Sequence, residues 1–128
     1  MSALYCWNQY DGAAQAITAG VLRGHIGLLV SIEKTAYAGE SAARVTDLLH
    51  GWAVKKGERM GSSATKLLIY LHPDLKNVAA RKLFLAAKLA EENVEEDMPL
   101  LVEHVTYPVE SDKAYSNKYA ETKPDLVI

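Results

Sequence analysis

Thr65-Lys66-Leu67-Leu68-Ile69-Tyr70-Leu71 is a nearly unbroken apolar run, halted by His72-Pro73-Asp74. Its length and its bounding residues predict a strand covered on both faces, as in a parallel sheet. Beyond the stop, Leu75, Val78, Ala79, Leu83, Ala86, Ala87 and Ala90 recur at helical spacing and predict a helix from Leu75 to Asn93. Leu100–Tyr107 returns to strand character. Pro99 and Pro108 bracket it, which suits a sheet edge because proline cannot donate to a ladder. A strand, a long helix and a second strand in that order predict a parallel crossover.

The same pattern extends toward the N-terminus. Ile26-Gly27-Leu28-Leu29-Val30-Ser31-Ile32 has the length of a second buried strand, and Leu4–Trp7 reads as a short first one. Asp11 stands where an N-cap is needed for a helix reaching about Leu22, with Gly24 as a stop. Ser41 is placed to cap another helix, in which Ala42, Val45, Leu48, Leu49, Trp52 and Ala53 form one apolar face. Lys55 and Lys56 suit its last turn and Gly57 its end. The predicted fold is α/β, a single domain of order β-α-β-α-β-α-β. Its four-stranded sheet is largely parallel or mixed and is flanked by helices; a ferredoxin-like α+β arrangement is the alternative. Residues 1–110 form the expected compact body. Residues 111–128 form an acidic, aromatic tail that docks on the body or on a neighbouring subunit.

Length and composition set the remaining bounds. The chain has 128 residues, 49% hydrophobic and 23% charged, with a formal net charge of −2. Such a chain has enough apolar material for a core and is too hydrophobic to be disordered. It lacks the basic excess of a nucleic-acid binder, and Arg81, Lys82 and Lys88 form a stripe broken by apolar residues, so nucleic acid is not the expected partner. One cysteine, Cys6, excludes an internal disulfide and a multi-cysteine zinc site, and suits a reducing compartment. No basic segment followed by a sustained apolar run opens the chain, and no stretch is long enough to span a bilayer. A cytoplasmic protein with no membrane contact is expected. Charge is unevenly distributed: residues 1–90 carry 11 Lys and Arg against 6 Asp and Glu, whereas residues 91–128 carry 3 against 10. An acidic tail with an apolar end, Leu126-Val127-Ile128, suits docking against a basic surface.

Ligands of open parallel sheets bind beyond the carboxyl ends of the strands. Those ends offer Asn8 and Asp11 after the first strand, Glu33 after the second, and His72 and Asp74 after the third. If Asp11, Glu33 and Asp74 converge, they supply oxygen ligands for Mg²⁺, with His72 as acid or base in metal-assisted phosphoester hydrolysis. The bland alternative is that Asp11 and Asp74 are N-caps and His72 a turn residue. The four histidines lack metal-ligand spacing, so neither a metal nor a cofactor is assigned. Gly57–Ala64 looks like a phosphate loop but leaves a helix and enters a strand, the wrong polarity for one.

Gln15-Ala16-Ile17, Leu28-Leu29-Val30-Ser31, the amphipathic helix, Leu68-Ile69-Tyr70-Leu71 and Pro99 resemble the RidA family of small imine/enamine deaminases. The resemblance implies a trimer with sites between subunits. Where that family has an arginine after its last proline, Pro99 is followed by Leu100, Leu101 and Val102; its Ser-Gly-Gln is Ser31-Ile32-Glu33 here. Its activity is therefore not carried over. Phe84, Leu85 and Leu89 widen the apolar face of the long helix beyond what a surface helix needs, and Tyr115 and Tyr119 stand one helical turn apart. These five are the candidate interface. The function expected from sequence is a small self-associating interaction module that binds a second copy or another protein and lacks a strong catalytic signature. The alternative is a small enzyme with its site at the strand ends or a subunit boundary.

Overall fold

The computed structural model describes residues 4–7, 10–34, 46–51, 53–72, 74–107 and 121, with side chains from residue 14 onward. Its elements are β1 (Leu4–Trp7), α1 (Tyr10–Thr18), β2 (Gly27–Ser31), α2 (Val54–Arg59), β3 (Ala64–Leu71), α3 (Lys76–Glu95) and β4 (Leu100–Thr106). The α/β class with a parallel sheet and helices is as expected. Each described pairing is parallel, and the strands lie in the order β1-β2-β3-β4. The ferredoxin-like alternative, which needs antiparallel neighbours, is excluded.

Strand order and crossover hand together decide where the helices go. Crossovers between parallel strands are right-handed, so a sheet that always steps in one direction places its helices on one face. The packing agrees. Leu67 and Ile69 of β3 join Ile32, Val54 of α2 and Leu89 of α3 in one buried cluster, extended by Leu85, Ala86, Met98 and Leu100. Leu28 and Val30 of β2 form a second, with Leu22, Leu49 and Met60 against it. By the alternation of strand side chains, these residues of β2 and β3 all project to the helical side. Two polar groups are built into that side: the Thr65 hydroxyl donates to Asn93 Oδ1 at 2.6 Å, and Asn93 Nδ2 donates to the Leu89 carbonyl at 2.7 Å.

Several boundaries differ from the sequence reading. Asp11 lies inside α1 rather than at its cap, and the helix ends at Thr18, short of Leu22. Gly20 adopts φ 67°, and the bonds Val21 N–H to Ala16 O and Gly20 N–H to Ile17 O close the helix end, so Gly20 and not Gly24 stops it. The helix expected from Ser41 to Lys56 is not formed over residues 46–51. Instead Leu48 makes an antiparallel bridge to Glu33, and Gly51 turns the chain at φ 73°. The apparent helical face arose because Leu48 and Leu49 point into different apolar clusters, as neighbours in extended chain do. Gly57 lies within α2. Ser41, Ala42, Val45 and Trp52 fall outside the described residues, as do Asn8, Tyr115 and Tyr119. Of residues 111–128, expected as a docked tail, only Glu121 is described, and it is helical and exposed.

On α3, Asp74 does not cap: Leu75 occupies the N-cap without a side-chain hydrogen bond. Leu89, expected at an interface, is buried at 3% exposure in the helix–sheet core. Lys82, expected in an exposed basic stripe, is buried at 5% exposure. Leu85 is half-buried, whereas Phe84 is 75% exposed. The charge run beginning at Glu91 continues the helix to Glu95 instead of ending it.

Candidate functional site

The sheet face opposite the helices carries a row of charged and polar side chains. Register pairs Ser31 with Lys66 and Lys66 with Leu101; one step further along, Leu68 pairs with Glu103. Residues two apart on a strand share a face, so Ser31, Lys66 and Glu103 all project away from the helices, and Glu33 continues the row from β2. A lysine and two glutamates on one sheet face are an expensive arrangement unless the charges are matched.

They are matched. Lys66 Nζ lies 2.6 Å from Glu103 Oε2, with the lysine side chain 12% and the glutamate side chain 52% exposed. Glu33 is buried beside them at 6% exposure. Burial pushes its carboxyl above the ordinary glutamate range; backbone hydrogen bonds from Glu33 itself and Leu68, the Lys66 charge and the Ser31 hydroxyl oppose that without cancelling it. Its Oε2 atom is buried with no hydrogen-bond partner among the described residues. Ser31 is wholly buried in the same row.

A second group closes the carboxyl ends of β3 and β4. His72 is buried just past β3, and its Nδ1 accepts a hydrogen bond from the Asp74 backbone N–H at 3.2 Å. The Asp74 carboxylate lies 3.7 Å from the same nitrogen. The Tyr107 ring lies 5.8 Å from His72 and 6.0 Å, edge to face, from Tyr70. Lys82 reaches this group from α3, donating to the Tyr70 carbonyl with its ammonium 5.7 Å from the Tyr107 ring centre.

Of the residues expected at the strand ends, Glu33 enters the inner row, whereas His72 and Asp74 form the local turn. Asp74 is exposed and borders an open hollow of about 470 Å³ with Leu75, Lys76, Asn77 and Val78. Among the described residues no three His, Cys, Asp or Glu gather to hold a metal ion, and the Asp11 side chain lies outside the described residues. The sequence reading missed Lys66 and Glu103. The available signal was a lysine inside an otherwise apolar parallel strand, where a charge demands a partner across the sheet.

A parallel α/β sheet carries helices on one face and a lysine–carboxylate row on the other, in which Glu33 is buried and Glu103 half-exposed. Comparison with known proteins gives the family. Residues 8–128 match the profile described as DeoC/LacD family aldolase. The chain is 33% identical over 103 residues to tagatose 1,6-diphosphate aldolase 1 of Enterococcus faecalis, covering 80% of this chain and 32% of the relative. It is 35% identical over 103 residues to tagatose 1,6-diphosphate aldolase of Lactococcus lactis subsp. lactis, again covering 80% and 32%. An archaeal fructose 1,6-bisphosphate aldolase structure superposes with TM-score 0.49 at 20% identity, over 77% of this chain and 34% of that one. The chain belongs to the DeoC/LacD aldolase family, and it spans about a third of the length of the curated relatives it matches.

That membership overturns the interaction-module reading. It also sets aside the phosphoester-hydrolysis and imine/enamine-deaminase alternatives in favour of the DeoC/LacD aldolase family. The misreading has a physical source: Leu85 and Leu89 of α3, which suggested an interface, pack in the core, and the paired charges Lys66 and Glu103 lie within strands. No helix of the described residues is long and apolar enough to cross a membrane.

Proposed function

We propose that this chain contributes the Lys66–Glu103 row to an aldolase site that cleaves a carbon–carbon bond in a phosphorylated ketose, with a sugar 1,6-bisphosphate as substrate. The observation that carries the reading is the family match across residues 8–128, with a 2.6 Å lysine–glutamate pair on the sheet face the helices leave open. A sheet wound in one direction, with helices outside and charged side chains inside, is the way an α/β barrel begins.

Aldol cleavage needs a base to take the proton from the hydroxyl on one side of the breaking bond. It also needs an electron sink for the pair left on the other carbon. Glu103, half-exposed and hydrogen-bonded by a cation, is placed for the first task. Lys66 suits orientation and charge stabilisation: an amine held as ammonium by a carboxylate is not a nucleophile, so the sink is assigned to another group. In the native polypeptide containing residues 1–128, Glu103→Gln is expected to lower kcat for bisphosphate cleavage by about 100-fold or more, the scale of a lost general base. Lys66→Met is expected to lower kcat/KM. Full activity in both variants would reject the assignment.

Self-association through α3 is a separate proposal, supported by the exposure of Leu83 and Phe84. Light scattering should show the wild-type chain larger than a Leu83→Ser, Phe84→Ser variant; equal masses would reject it.

A further inference from the structure

Glu33 and Ser31 are the members of the inner row that the aldolase reading leaves without a task, and the burial of the carboxyl needs explaining. At 6% exposure, with Oε2 buried and unpartnered among the described residues, Glu33 is not solvated like an ordinary surface carboxylate. It lies on the same sheet face as Lys66, one layer along, next to Ser31. One ammonium offsets one carboxylate in a weakly solvated site, and a second carboxylate leaves a net negative charge there. The less costly state keeps one proton on one of the two acids. Glu103 is half-exposed and already bonded to Lys66, so the proton belongs on Glu33.

We propose that Glu33 is a positioning residue for Lys66, neutral while Lys66 pairs with Glu103 and the alternative partner of the ammonium when Glu103 takes up a proton. The exchange balances within the row. The proton leaves the Glu33 carboxyl for the Glu103 carboxylate, Lys66 stays an ammonium throughout, and the net charge of the three groups is unchanged. Burial, which raises the Glu33 carboxyl above its ordinary range, supports this order of protonation. The charged groups around Glu33 among the described residues are Lys66 on β3, Glu103 on β4, and the exposed Lys34–Asp47 pair on the flanking return. The proposal rests on the inner row being the aldolase site, but its test uses no substrate, so the two readings fail separately.

The test is the rate at which Lys66 of the full chain is acetylated at alkaline pH, read by peptide mass spectrometry. Only the neutral amine reacts, so loss of one pKa unit of protection raises the rate about tenfold. E33Q alone and E103Q alone are expected to raise it less than about threefold, because either acid suffices, and E33Q/E103Q about tenfold or more. If E103Q alone equals the double variant, if E33Q alone does, or if the double variant is no faster than wild type, the proposal is overturned. Should the double variant not fold, ¹³C NMR of the Lys66 Cε in E103Q decides. An inflection as Glu33 titrates supports the exchange, and its absence overturns it.

Discussion

At the scale of single residues, Glu33 makes stability depend on pH in a direction opposite to that of most carboxylates. Its folded carboxyl holds a proton more tightly than the unfolded one, so the folded state is penalised once pH rises past the unfolded value of 4.5. The penalty grows until pH passes the raised folded value and is constant above it. Glu33→Gln removes it. The variant is therefore expected to melt above wild type at pH 7 and to match it at pH 3, as followed by circular dichroism. A deficit at pH 7 would mean the carboxylate is net stabilising. Thr65 and Asn93 work the other way, as a buried pair whose members satisfy one another. Thr65→Val strands Asn93 Oδ1 and is expected to cost about 1–3 kcal/mol in urea denaturation.

At the scale of elements, α3 shows how a helix is divided between core and surface. Leu89→Ala opens a hole between α3 and the sheet and is expected to cost about 2–5 kcal/mol. Phe84→Ser, at an exposed position, is expected to stay within about 0.5 kcal/mol of wild type in the same denaturation series. Comparable losses at the two sites would contradict the placement. The helix ends on Asp97 at φ 49°, with Met98 N–H bonded to Asn93 O and Asp97 N–H to Val94 O, a closure that glycine usually makes. Asp97→Gly relieves the left-handed strain and is expected to gain about 0.5–1 kcal/mol.

These elements also show what the sequence disclosed. β3, α3 and β4 were legible because each has one period over its whole length: a continuous apolar run, a 3.6-residue stripe, and a strand between prolines. The Ser41–Lys56 stretch was not. Leu48 and Leu49 satisfied helical spacing while serving opposite sides of an extended segment, and the pairing with Glu33 that holds it there is non-local. Glu33 drew notice from its place past a strand end. Lys66 and Glu103 did not, because their meaning depends on strand register.

At the scale of the whole molecule, the sheet winds in one direction, gives its helical side to the apolar clusters and leaves a charged row on the other. Lys82 ties α3 to the carboxyl ends of β3 and β4, holding Tyr70, His72 and Tyr107 at the end where parallel sheets bind ligands. The central claim is that the native polypeptide containing residues 1–128 cleaves a ketose bisphosphate. ³¹P NMR of tagatose 1,6-bisphosphate incubated with the protein tests it most directly. Resonances of two triose phosphates, growing as those of the bisphosphate fall, are the expected result; an unchanged bisphosphate spectrum, or release of inorganic phosphate alone, would contradict the claim.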